Sequence, residues 1–126
     1  MKVQEIYVDG STRYMLLDSE GSPVIVVTKY LKCLDQIGKA GNTLKSYSYH
    51  LKLYFQFLRE NQIDYKNVAL NILANFIGWL RSPYQSTKIL TLKSAKARRS
   101  ERLVNTTLTC ILSFYDFLSR LDQDKK

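Results

Sequence analysis

Residues 42–61, NTLKSYSYHLKLYFQFLREN, carry Leu44, Tyr47, Leu51, Tyr54, Phe55 and Leu58 at three- and four-residue steps. That spacing places side chains on one face of a helix, so this stretch must bury a stripe against something else. Thr43 is read as the residue capping its start, with Asn42 an alternative one position earlier, and Asn61 as its stop. The opposite side holds Lys45, Ser46, Tyr49, His50, Lys52, Gln56 and Arg59, with no carboxylate until Glu60. A solvated helix usually mixes both signs, so this face suits a polyanion, and His50 is expected to point outward beside Ser46.

With 126 residues, 45% of them hydrophobic, the chain has enough apolar material for one core and too little for two ordinary domains. The formal charge of +8 is uneven. Residues 1–42 carry five basic and five acidic groups, residues 43–66 four and two, and residues 67–126 ten and four. A balanced N-terminal part joined to a basic remainder points to an anionic partner, with nucleic acid first.

Cys33 and Cys110 are the two cysteines, both within apolar helical patterns, and are read as small buried hydrophobes. With His50 the single histidine, too few ligands exist for a tetrahedral zinc cage, and no cofactor is called for. No apolar run approaches the roughly 18 residues that suggest a membrane span. The N-terminus also lacks the apolar core of a signal peptide, so the expectation is a soluble protein of a bacterial cytoplasm.

Taken in order, Val3, Ile6 and Val8, the turn residues Asp9-Gly10-Ser11-Thr12, and Tyr14-Met15-Leu16-Leu17 predict a β-hairpin over residues 1–22 that leans on the helices. Asp18 and Glu20 sit in a polar break and are read as solvated, not as an acid–base pair. Val24, Val27, Leu31, Leu34 and Ile37 mark a first helix that Gly38 ends. Beyond Asn61, Ile63 and Tyr65 anchor a polar linker. Val68, Leu70, Ile72, Leu73, Phe76, Ile77, Trp79 and Leu80 form a third helix ending by Ser82, before Pro83.

Residues 81–102 contain Arg81, Lys88, Lys93, Lys96, Arg98, Arg99 and Arg102 against Glu101 alone. A loop so basic is expected to order on phosphate. It leads into a fourth helix with Leu103, Thr107, Leu108, Ile111, Phe114, Tyr115, Leu118 and Leu121 inward and Arg102, Asn105, Thr106 and Thr109 outward. Asn105 and Thr106 are the candidates for reading base edges. Arg98, Arg99 and Arg102 are the candidates for phosphate.

The order of these segments, with T-L-K-S-Y-x-Y-H-L-x-x-Y-F-x-F-L, an apolar W-L helix, a basic loop and N-T-T-L-x-x-I-L-S-F-Y-D-F-L, resembles the N-terminal core-binding domain of tyrosine recombinases, the phage integrase family. Transposon-encoded members with a hairpin before the helices are the most similar. The resemblance covers about residues 24–121 and implies a mainly α fold, a four-helix, SAM-like bundle over residues 23–121 behind the hairpin. It also implies one half of a clamp on double-stranded DNA, serving DNA integration and recombination. The DNA-binding residues it implicates are Thr43, Lys45, Ser46, Tyr49 and His50 on the second helix, and Arg98, Arg99, Arg102, Asn105, Thr106 and Thr109 on or near the fourth.

Those enzymes need a tyrosine nucleophile, two arginines, a His-x-x-Arg pair and a lysine, whereas His50 is followed by Leu51, Lys52 and Leu53. Tyr115 falls on the inward stripe. No catalytic or metal site is expected here. The chain is read as a fragment, with residues 122–126 beginning a linker to a catalytic domain of the same parent chain. Further protomers on DNA would be its other partners. A stand-alone helical DNA-binding regulator and a helical protein–protein adaptor remain alternatives. The regulator would join two helices by a three- or four-residue turn, and the adaptor would show an exposed apolar groove.

Overall fold

Asp9 and Gly10 both have positive φ, 52° and 80°, the backbone of a two-residue turn whose twist suits a hairpin. They join β1 (Lys2–Val8) to β2 (Ser11–Leu17) in an antiparallel pair running from Val8↔Ser11 to Lys2↔Leu17. Ser11 and Thr12, expected in the turn, belong to the ladder, because two residues already reverse the chain. The computed structural model describes residues 1–81 and 101–124, and over them the protein is mainly helical behind this hairpin.

Leu16 is fully buried, with Val3 and Tyr14 half-buried beside it, so one face of the hairpin enters the helical core. Asp18 then folds the polar break around its carboxylate, which accepts the Ser22 and Glu20 N–H groups at 3.0 and 2.9 Å. The Ser22 bond first, then that from Glu20, holds the Asp18 carboxyl below its usual range.

The first helix, α1 (Ile25–Gln36), buries Val27, Tyr30, Leu31 and Leu34. Gly38 at φ 91° closes it, with Gly38 N–H donating to Asp35 O and Lys39 N–H to Leu34 O, the paired bonds of a Schellman end. Ile37, expected in the stripe, is 65% exposed, since it caps the helix after the periodicity has stopped. An ion pair between Arg13 and Asp35 joins β2 to α1.

The long helix α2 (Gly41–Glu60) packs against the hairpin, α1 and both later helices. Neither Thr43 nor Asn42 caps it. Ala40 does so without a side-chain bond, its carbonyl taking the Thr43 and Leu44 N–H groups, so both residues already lie in the first turn. Asn61 ends it as expected, and Gln62 at φ 56° repeats the closure seen at Gly38, with Ile63 N–H donating to Leu58 O at 2.8 Å.

Ile63 and Tyr65 anchor the linker, half-buried on either side of Asp64. In α3 (Leu70–Arg81), Phe76 and Leu80 are fully buried and Trp79 is half-buried against Phe57 and Phe76. Leu70, expected inward, is 82% exposed as the first residue of the helix. In α4 (Glu101–Asp124), Val104, Thr107, Cys110, Ile111 and Phe114 are buried. Burial pushes the Cys110 thiol up to about 12, while Cys33 is only half-buried. Tyr54 meets Phe76 edge-on at 5.0 Å and Phe55 meets Phe114 at 5.9 Å, so aromatic rings of α2 hold α3 and α4.

Candidate nucleic-acid interface

The middle of α2 is fastened to the second turn of α4 by one imidazole. His50 is 5% exposed, with Nδ1 2.9 Å from Thr107 Oγ1 and Nε2 3.1 Å from Ser46 Oγ. Thr107 donates its one hydroxyl proton to Leu103 O at 2.8 Å, so at His50 the Nδ1–H is the donor. Nε2 then accepts from Ser46, and the ring is neutral. Burial lowers its pKa below the ordinary 6.5, in agreement with that state. His50 therefore does not face outward, and its position corrects the sequence expectation: it is a buried bracket between helices, with both ring nitrogens already bonded within the protein.

The other α2 candidates lie around this bracket. Lys45, Ser46 and Tyr49 are exposed, and Thr43 is half-buried. Tyr49, at 46% exposure, is not part of the core, and the Lys52 ammonium lies 6.0 Å from its ring centre. The described ion pairs are Arg13–Asp35, Arg81–Glu101 and Arg120–Asp116, so Lys45, Lys52 and Arg102 carry charge with no carboxylate partner among the described residues.

On α4, Arg102, Asn105, Thr106 and Thr109 are all exposed, as the spacing predicted. Thr106 and Thr109 donate their hydroxyl protons to the carbonyls of Arg102 and Asn105, at 2.8 and 2.9 Å. With those protons committed, each hydroxyl is left to accept, so at a groove edge Thr106 is an acceptor and not a donor. Arg98 and Arg99, with the rest of the basic stretch at 82–100, lie outside the described residues. Its flanks are joined: Arg81 Nε and Nη2 donate to the two Glu101 oxygens, each at 2.9 Å, which takes Arg81 out of the unpaired cations.

Two features went unseen in the sequence. Leu112 is 53% exposed, three positions after Thr109 on the outward row of α4; its lying off the inward stripe was the available signal. Tyr115 donates to Tyr65 O at 2.8 Å and accepts from the Tyr54 hydroxyl at 2.6 Å. Burial, then the Tyr54 contact, pushes its phenol well up, the reverse of what an attacking phenolate needs.

No protein-family model matches the chain, and no solved structure does. Over 127 aligned positions it is 42% identical to Transposase A from transposon Tn554 of Staphylococcus aureus, with the same figures for versions of that protein from two strains. The alignment covers 99% of this chain and 35% of the transposase, so the chain spans about a third of the length of the curated relatives it matches. No helix among the described residues is long and apolar enough to cross a membrane. The similarity thus extends over nearly the whole of this chain and relates it to about a third of that transposase.

Proposed function

We propose that this chain is the core-binding, DNA-clamping module of a transposon-encoded tyrosine recombinase, a SAM-like bundle that lays the outward faces of α2 and α4 on duplex DNA. The observation that carries the reading is the pairing of transposase similarity with two polar faces whose cations are unmatched: Lys45 and Lys52 beside Ser46 and Tyr49, and Arg102 beside Asn105, Thr106 and Thr109. Phosphate contacts from the cations would supply affinity, and Asn105 would supply choice among sequences. A catalytic domain of the same parent protein would close the other side of the duplex, and further protomers would complete the recombination complex. Half a clamp binds more weakly than the whole, because the second half's contacts and the effective concentration they supply are missing.

The test is a fluorescence-anisotropy titration of the protein with a mixed-sequence duplex of about two helical turns, at several salt concentrations. Engagement of one phosphate by each of Lys45, Lys52 and Arg102 predicts an affinity loss of roughly fortyfold between about 50 and about 200 mM salt. Backbone amide shifts should gather at residues 43–49 and 102–112. Salt-independent binding, or shifts confined to the hairpin and α3, would exclude the clamp and favour the adaptor.

A further inference from the structure

Asn105, Thr109 and Leu112 follow one another at i, i+4 and i+7 and form a single outward row on α4. Seven residues of helix rise about 10 Å, close to the roughly 12 Å width of a B-form major groove. Asn105 is exposed and makes no side-chain hydrogen bond among the described residues, so its amide keeps both a donor and an acceptor. Thr109 is exposed and has committed its hydroxyl proton to Asn105 O, which leaves its methyl group as the other part of the side chain free to make contacts. Leu112, 53% exposed, is wholly apolar and sits where an outward face would ordinarily be polar. The next position in the row, Asp116, is a carboxylate paired with Arg120 at 3.1 Å, and a carboxylate is repelled by phosphate. Arg102 lies at the other end. The row thus has a cation to set it on the backbone, one amide, two methyl-bearing groups and an acidic stop.

We infer that this row reads A·T base pairs in the major groove, Asn105 pairing with the adenine edge and Leu112, with the Thr109 methyl, packing on thymine 5-methyl groups. The inference rests on the clamp reading of α4. An amide fits the acceptor and donor that adenine offers at N7 and N6, and the thymine methyl is the one apolar group a base edge displays in that groove. Guanine, with two acceptors, calls instead for a two-donor fork such as arginine. Arg102, at the opposite end of the row from Leu112, serves the backbone.

Uracil differs from thymine only by that methyl, so the probe is a self-complementary alternating A·T duplex and its deoxyuridine counterpart. Both are titrated by anisotropy at low salt with the wild-type chain and with Leu112→Ala, whose exposed position spares the core. The wild-type chain should bind the thymine duplex about fourfold more tightly per contacted methyl, the gain from burying one methylene-sized group. Leu112→Ala should reduce that preference, weakening binding to the thymine duplex more than to the uridine duplex. Equal wild-type affinity for the two duplexes, with steep salt dependence retained, overturns the inference and leaves the clamp standing. A loss for Leu112→Ala that is the same on both duplexes also overturns it. No binding to either duplex overturns both readings.

Discussion

A neutral imidazole in a protein core is stable only while each ring nitrogen keeps its partner, and at His50 one of those partners is a single hydroxyl on another helix. Thr107→Val keeps the shape and removes the oxygen that accepts the Nδ1–H. The buried donor left behind should lower stability by about 1–3 kcal/mol, read as a drop in the urea midpoint with an unchanged slope. The pH dependence follows from the lowered pKa. Between the folded and unfolded values the unfolded chain holds more protons on this ring, so stability rises with pH there. The contribution is complete above about pH 6.5 and shrinks as pH falls toward the folded value, by at most about 1.4 kcal/mol per unit. Urea melts at about pH 7.5 and about pH 5.5 should show the acid loss in the wild type and a smaller one in His50→Gln. None of this was legible beforehand: position 50 lies at the border of the stripe set by Tyr47, Leu51 and Tyr54, where periodicity does not decide a side. Its deciding partner stands 57 residues further along the chain.

At the scale of elements, the same helix ending occurs twice with different residues, and the comparison separates backbone strain from sequence. Gly38 at φ 91° and Gln62 at φ 56° both occupy the left-handed position that a Schellman end requires. Glycine enters it freely, whereas a residue with a Cβ does so at an energetic cost of about 1 kcal/mol. Gly38→Ala should therefore destabilise the chain by about 1 kcal/mol and Gln62→Gly should stabilise it, by less, because glycine also loosens the unfolded chain. Opposite shifts in thermal midpoint would establish the pair; two shifts of the same sign would refute it. Gly38 could be read as a stop from the sequence because its residue type announces the conformation. Gln62 could not, and Asn61 beside it was legible only as a boundary. The hairpin was legible from alternation and Asp9-Gly10, but not how deeply it is built in: Leu16→Ala, at a fully buried position, should destabilise by about 2–5 kcal/mol in the same melts.

At the scale of the whole molecule, DNA binding depends on where charge is left uncompensated. The net charge of +8 was plain in the sequence, as was its concentration after residue 42, but composition does not say which cations are already answered. Arg81 looked like part of a phosphate-binding run and is instead paired with Glu101 between the ends of α3 and α4. Arg13 and Arg120 are likewise paired, within the hairpin–helix contact and along α4. Arg59, further along the same side of α2, is near enough to Asp18 to help hold its carboxyl down, so what remains on the proposed DNA-facing side among the described residues is Lys45, Lys52 and Arg102, on two helices that His50 and Thr107 hold together. On the clamp reading these cations act as independent phosphate ligands, so neutralising them should change the salt dependence in proportion to their number. Lys45→Gln with Arg102→Gln should flatten the slope of log affinity against log salt by about 1.8, or about 0.9 for each phosphate no longer neutralised, on every duplex tested. Arg81→Gln, which removes an equal charge from a paired site, should change it by less than about 0.3. Asn105→Ala should leave the slope unchanged and narrow the spread of affinities among duplexes of different sequence. A variant set in which Arg81→Gln flattens the slope as much as Arg102→Gln would mean that the chain is read by its total charge alone, and the assignment of α2 and α4 as the contacting faces would fail.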